Sequence, residues 1–96
     1  MVTITRTIPK NLTFTVQVFR EGNLFVSYNP ELDVSSCGET IDKAKMNLRD
    51  AMKGFLKSAA KMGTLAGILE EAGYIYHKNR WSDPELIVMD RVTIGS

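Results

Sequence analysis

Hydrophobic and polar residues alternate with a period of two along the first third of the chain. Residues 2–8, 12–18 and 24–28 each show this pattern, which is typical of strands with one face on a core. Residues 21–23, Glu-Gly-Asn, tolerate the positive φ of a tight turn and predict a hairpin between the second and third runs. A weaker strand is predicted over residues 32–37, so the sheet begins as a meander.

The hydrophobic period then changes from 2 to 3.6 and predicts one long helix over residues 41–62. Thr40 is a suitable N-cap, and Gly63 suits the left-handed position that ends helices. A second, short helix is predicted from Thr64 to Gly73, with its inward positions at Leu65, Ile68, Leu69 and Ala72. The apolar stripe of the long helix consists of Ile41, Ala44, Leu48, Ala51, Met52, Phe55, Ala59 and Met62.

The remainder of the chain predicts a loop and a last strand. Residues 74–84 are expected to form a loop with a possible short hairpin, and the alternation over residues 86–94 predicts a strand. The order β-β-β-α-(α)-β indicates an α+β fold, in which one long helix covers a face of a mostly antiparallel sheet. The other face is predicted to meet another chain, because it combines polar residues with Phe19, Phe25, Ile87 and Met89.

Length and composition indicate a single globular domain over residues 1–96. The chain is 44% hydrophobic and 24% charged, with a net charge of +1, so it is neither disordered nor strongly basic. One cysteine cannot form an internal disulfide. We find no signal-peptide pattern and no apolar run of the roughly 18 residues that a membrane span needs. We therefore expect a cytoplasmic protein with no membrane partner.

Few residues suggest catalysis. Cys37 and His77 lack the spacing of a metal site and any local sign of a nucleophile and its base. Glu31, Asp33 and Glu39 could hold metal ions for two-metal chemistry of the nuclease kind, although turn and helix-cap chemistry also accounts for them. We predict no enzyme activity, cofactor or metal, and keep the nuclease as an alternative.

The basic residues are concentrated in the long helix. Residues 40–62 carry six basic and two acidic side chains, whereas the rest of the chain carries more acidic than basic ones. A stripe of cations recurs every four residues, which indicates either a solvated face or a surface for phosphates or an acidic partner. This basic stripe consists of Lys45, Arg49, Lys53, Lys57 and Lys61.

The sequence over residues 12–74 resembles the HicB antitoxin family. The resemblance depends on an aromatic strand end, a Pro-Glu-Leu motif, a Gly-Glu-Thr motif and an Ala- and Leu-rich helix. These features are Tyr28, Pro30 to Leu32, Gly38 to Thr40, and Ala44, Leu48 and Ala51. Asp33-Val34-Ser35 stands where the family commonly has Pro-Gly-Cys.

The resemblance implies a partial ribonuclease-H-like fold in a protein that binds a partner and does not cleave RNA. A degenerate nuclease of this fold is the alternative. HicB proteins neutralise HicA, a small mRNA-cleaving toxin, and usually self-associate, so we expect a homodimer or higher oligomer. Because HicA is basic, the expected partner-binding residues are those of the acidic edge: Tyr28, Pro30, Glu31, Leu32 and Asp33. Many members add a DNA-binding domain, but the residues after Gly73 show no such signal, and direct DNA binding is not expected.

Overall fold

A computed structural model describes residues 8–9 and 11–95. The predicted strand at residues 2–8 therefore lies almost wholly outside the described residues. The α+β class is confirmed: an antiparallel meander precedes a long helix, a short helix and a hairpin. The elements are β1 (Gln17–Glu21), β2 (Leu24–Asn29), β3 (Val34–Gly38), α1 (Ile41–Met62), α2 (Leu65–Glu71), β4 (Ile75–His77) and β5 (Arg80–Ser82).

The ends of α1 lie where the capping residues predict. The Thr40 hydroxyl accepts a hydrogen bond of 3.0 Å from the Lys43 backbone nitrogen, which satisfies one of the free N–H groups of the first turn. Gly63 has φ of 77° and donates its N–H to carbonyl groups of the last turn, as left-handed caps do. Local chemistry alone therefore determines both ends of the helix.

The buried stripe of α1 differs from the predicted one. The buried side chains of the helix recur about every four residues: Ala44, Leu48, Met52, Leu56, Ala59 and Ala60. Ile41, Ala51, Phe55 and Met62 were expected to be inward, but they are exposed. The prediction was wrong at these four positions because a broad apolar stripe does not say which of its edges the sheet will cover.

The first turns of α1 approach the sheet closely. Ser27 and Ala44 are fully buried, and the Ser27 hydroxyl donates a hydrogen bond of 2.6 Å to the Ala44 carbonyl oxygen. A Cβ atom at Gly38 would lie 2.5 Å from the Ala44 backbone nitrogen. The Asn47 amide donates a further bond of 2.8 Å to the Cys37 carbonyl oxygen. Small and polar residues therefore hold the helix on the sheet.

This contact determines which face of β2 is inside. Because side chains alternate along a strand, Phe25 and Asn29 share the helix face with Ser27. Leu24, Val26 and Tyr28, which the sequence pattern placed on the core together with Val18, lie on the opposite face. Val18 pairs with Ser27, so the apolar sets of β1 and β2 face opposite ways. That prediction was therefore wrong for β2.

The chain before β1 is held by side chains in place of a neighbouring strand. The Thr15 N–H donates to the Glu31 carboxylate over 2.7 Å, and the Thr15 carbonyl oxygen accepts from the Asn29 amide over 2.8 Å. The Thr13 N–H donates to the Asp83 carboxylate. The predicted strand over residues 12–18 is therefore assigned only from Gln17, since β2 ends at Asn29 and offers no further backbone to residues 12–16.

The hydrophobic core lies at the end of the molecule where α1 meets α2. Tyr74 is buried there, packs on Phe14 with ring centroids 5.2 Å apart, and donates its hydroxyl to the Thr13 carbonyl oxygen. The core cluster consists of Leu56, Ala59, Ala60, Leu65, Leu69 and Tyr74, with Ile8, Leu12, Phe14, Leu32 and Trp81 among the half-buried residues around it. Within the described residues, no helix is long and apolar enough to cross a membrane.

The C-terminal part contains the predicted hairpin but not the predicted last strand. β4 and β5 pair through a two-residue turn in which Lys78 and Asn79 both have positive φ, as in a type I′ turn. Among residues 86–95 no strand is formed, so the prediction for residues 86–94 was wrong. Ile87 and Met89 accordingly lie outside the sheet, and neither they nor Phe25 join the face on which Phe19 lies.

We predict that Gly38→Ala destabilises the protein by about 1–3 kcal/mol, because the new methyl group collides with the backbone of α1. Gly54→Ala is the matched control: nothing lies within 4 Å of its Cβ position, so it should stabilise the helix by roughly 0.5–1 kcal/mol. Urea unfolding of both variants measures the difference. Equal effects of the two substitutions would contradict the close approach.

We predict that Tyr74 makes the protein sensitive to alkali. Burial raises the pKa of Tyr74 above its ordinary value of 10.0, and the Glu31 and Asp83 carboxylates add to the effect. Ionisation of the unfolded chain therefore lowers the free energy of unfolding as the pH rises above 10. Tyr74→Phe should be about 1–3 kcal/mol less stable at neutral pH, and its deficit should narrow above pH 10. A constant deficit in urea unfolding would contradict this role.

Candidate functional site

The first candidate site is the sheet face turned away from α1, here called the outer face. Strand pairing places Phe19 opposite Val26 and Val26 opposite Cys37. Because directly paired residues share a face, these three side chains form one row across all three strands. The same face also carries Gln17, Glu21, Leu24, Tyr28 and Ser35.

The row across the outer face is apolar and open to solvent. Phe19 is 53% exposed, Cys37 is exposed, and Val26 is half-buried between them. On the helix face of the same strand, the polar Ser27 and Asn29 are fully buried. Large apolar groups outside and polar groups inside reverse the usual arrangement, and such a patch indicates an interaction surface.

The fixed charges of the outer face are acidic. Glu21 ends β1, and Asp33 lies at the corner between β2 and β3, where it accepts a hydrogen bond of 2.9 Å from the Tyr28 hydroxyl. Arg20, the one cation of β1, lies on the helix face, with its guanidinium 4.8 Å from the centroid of the Phe25 ring. The outer face therefore presents negative charge to a partner.

The predicted partner-binding residues divide between the surface and the interior. Tyr28 and Asp33 meet at the edge of the outer face, and Pro30 is exposed in the turn beside them. Glu31 instead accepts from the Thr15 N–H and from the Asn29 amide, and Leu32 packs against the core cluster. Partner contact by these five residues stays a prediction. The exposure of Pro30 and Asp33, with the half-buried Tyr28 beside them, favours these three.

The alternation over residues 24–28 predicts Val26 on the core face, and no sequence pattern predicts that Cys37 lies on an exposed face. The turn at residues 21–23 carried the signal that could have corrected this, because a two-residue hairpin loop pairs Glu21 with Leu24 and hence Phe19 with Val26. This pairing places Phe19 and Val26 on the same face of the sheet. The alternation of apolar residues in β2 gave the opposite and more obvious answer.

A groove between α1 and residues 12–16 forms a second candidate site. It has a volume of about 400 Å³, and its apolar lining is Leu12, Phe14, Val16, Met52 and Leu56. Lys45, Arg49 and Lys53 of the basic stripe line it as well, whereas Lys57 and Lys61 lie beyond it along the helix. Lys45, Arg49 and Lys53 each follow a buried residue by one position, so these cations stay on one flank of the helix.

The candidate catalytic residues of the sequence do not lie together in the structure. Cys37 lies in β3 and His77 at the end of β4, in the other sheet. Glu31 is engaged with Thr15, and Asp33 with Tyr28. Within residues 8–9 and 11–95, no group of three or more His, Cys, Asp or Glu side chains could hold a metal ion.

We predict that Asp33 controls the ionisation of Tyr28. The hydrogen bond to Asp33 raises the pKa of Tyr28 above 10.0, with smaller contributions from desolvation and the charge of Asp33. Asp33→Asn should lower this pKa towards 10.0, and asparagine tolerates the local φ of 56°. Titration of the Tyr28 ring carbon by NMR measures the change. Asp50→Asn on α1 is the control, and an equal change in both variants would contradict the contact.

Comparisons with protein-family models, curated proteins and solved structures found no match for this chain.

Proposed function

We propose that this chain is a HicB-like antitoxin or an orphan relative: a cytoplasmic, non-enzymatic module that binds and neutralises a small HicA-type mRNA-cleaving toxin. The observation that carries the proposal is the outer face, with its apolar row of Phe19, Val26 and Cys37 beside the acidic corner at Asp33. The resemblance of residues 12–74 to HicB proteins supplies the class of partner.

The outer face has the composition of a protein-binding surface. Interfaces combine an apolar, often aromatic centre with a polar rim that stays in contact with water. Phe19 provides an exposed aromatic ring at one end of the apolar row, and Gln17, Tyr28 and Ser35 provide polar groups on the same face. Three paired strands support these side chains, so little conformational entropy would be lost when a partner binds.

The charge of the outer face suits a basic partner. Glu21 and Asp33 would attract cations and speed the encounter, whereas a protein with an acidic surface would be repelled. A ribonuclease must itself attract RNA phosphates and is therefore basic on its substrate-binding side. A module that covers that side with an acidic surface blocks RNA access without any chemistry of its own.

Nucleic-acid binding is the alternative that a specific observation supports. Lys45, Arg49 and Lys53 lie together along the groove and could contact successive phosphates. This hypothesis requires affinity for RNA or DNA that weakens steeply with salt. The groove offers one aromatic side chain, Phe14, where single-stranded binding sites generally provide several for base stacking.

The proposal is tested by rescue of growth from a toxin that co-purifies with the tagged protein. We expect a small basic protein at stoichiometric amounts that arrests growth when expressed alone. The double change Glu21→Lys and Asp33→Lys should weaken binding by at least about tenfold and abolish rescue. Glu70→Lys with Glu71→Lys on α2 is the matched control and should rescue fully. Full rescue by the outer-face variant would contradict the proposed surface.

The single cysteine provides a second readout of the same surface. Cys37 is exposed near the end of β3, on the outer face, so a bound partner should slow its alkylation by a maleimide. A control protein with Cys37→Ser and Ser58→Cys carries the thiol on an exposed position of α1, where labelling should be unchanged. If the partner protects Ser58→Cys rather than Cys37, it binds the helix side.

A further inference from the structure

The last residues of the described chain expose more apolar surface than any other segment. Six side chains between residues 86 and 94 are between 57% and 90% exposed: Leu86, Ile87, Val88, Met89, Val92 and Ile94. We call residues 85–94 the tail. The radius of gyration, 15.4 Å, exceeds the about 12.5 Å expected of a compact domain of this length. An apolar segment of this size is rarely left in water unless it has a partner.

We propose that the tail of one copy binds in the groove between α1 and residues 12–16 of a second copy, so that two chains exchange tails reciprocally. The proposal concerns the helix side of the molecule, away from the outer face, and does not depend on the toxin-binding function.

Charge complementarity supports the match between tail and groove. The tail carries two acidic residues, Glu85 and Asp90, on either side of the run Leu86 to Met89, and one basic residue, Arg91, so its net charge is −1. The groove carries Lys45, Arg49 and Lys53 beside an apolar lining. In an extended chain, side chains five residues apart point to opposite faces. Asp90 therefore faces the groove together with Leu86 and Val88, and Glu85 lies on the other face of the tail.

The starting point of the tail supports exchange between two copies. The Asp83 carboxylate accepts from the Thr13 N–H over 2.8 Å, and Pro84 lies against Gly73. The tail therefore begins beside residues 12–16, which form one wall of the groove. With the tail and the groove adjacent on each chain, one two-fold axis can bring both tails to both grooves, as closed dimers require.

The area involved is large enough for a stable dimer. An exposed aliphatic side chain loses roughly 100 Å² of surface when buried, and only alternate side chains of an extended tail face the groove, so two exchanged tails would remove roughly 800 Å² from water. The groove walls add to this total, which brings the contact into the range of specific interfaces, about 1,200–2,000 Å². Within the described residues of a single chain, nothing covers the tail or the groove.

The experiment is a charge-swap measured by sedimentation equilibrium on full-length chains. Reversal of the tail combines Glu85→Lys with Asp90→Lys, and reversal of the groove combines Lys45→Glu with Arg49→Glu. Each reversed protein should dissociate with a constant at least about tenfold higher than the parent dimer. An equimolar mixture of the two should recover the parent affinity, since each tail then meets a groove of opposite charge.

A matched control keeps the test specific to the groove. Lys57→Glu with Lys61→Glu reverses two cations of the same stripe outside the groove and should leave the dimer unchanged. All substituted positions are exposed, and circular dichroism checks that each variant is folded.

Four outcomes would overturn the proposal. A parent protein that stays monomeric at tens of micromolar would exclude exchange between copies. A dimer that survives both reversals would place the interface elsewhere, for example on the outer face. Reversed proteins that stay monomeric when mixed would show that the tail and the groove do not contact each other in the parent dimer. Loss of bound RNA or DNA on groove reversal, with the dimer intact, would assign the groove to nucleic acid.

Discussion

The rest of the structure depends on the close contact between the start of α1 and the sheet. Gly38 removes the side chain that would block the helix, and Ser27 fills the remaining space while bonding to the Ala44 carbonyl oxygen. Because this contact needs small residues at Ser27 and Gly38, α1 packs on their side of the sheet. Leu24, Val26 and Tyr28 of β2 lie on the other side, while Phe25 stays on the helix side beside Arg20. The outer face is a consequence of how the helix is docked.

A second constraint joins the two ends of the described chain. Asn29, Glu31, Tyr74 and Asp83 hydrogen-bond to the backbone of Thr13 and Thr15, where a neighbouring strand would otherwise do so. These contacts link the turn after β2, the segment after α2 and the end of the β4–β5 hairpin to one stretch of backbone. Buried backbone groups must be paired, so these four side chains keep residues 12–16 against the core and form the wall of the groove.

The protein thus presents two surfaces of opposite character. The outer face is apolar with acidic groups, while the flank of α1 has an apolar groove with cations, and the net charge of +1 conceals both. The two surfaces lie on opposite sides of one sheet.

The sequence by itself determined the elements whose causes are local. Thr40 and Gly63 set the ends of α1, residues 21–23 set the hairpin, and the change of period separated sheet from helix. Of the candidate site, it identified Tyr28, Pro30 and Asp33 at the surface, together with the basic stripe. Each of these depends on neighbours within a few residues, so the sequence pattern contains the information.

Only the tertiary structure decided which sides face inward. Ser27 and Asn29 are buried against Ala44 and Thr15, to which they donate hydrogen bonds. These partners are more than ten residues away in sequence, and the hydrophobic period of the chain carries no information about such contacts. The alternation over residues 86–94 predicts a strand that the structure does not form. Alternation indicates only that a segment is able to join a sheet, whereas a strand forms only where another backbone offers unpaired N–H and C=O groups. The sequence predicts Glu31 as a surface charge, but the fold brings the Thr15 N–H to its carboxylate.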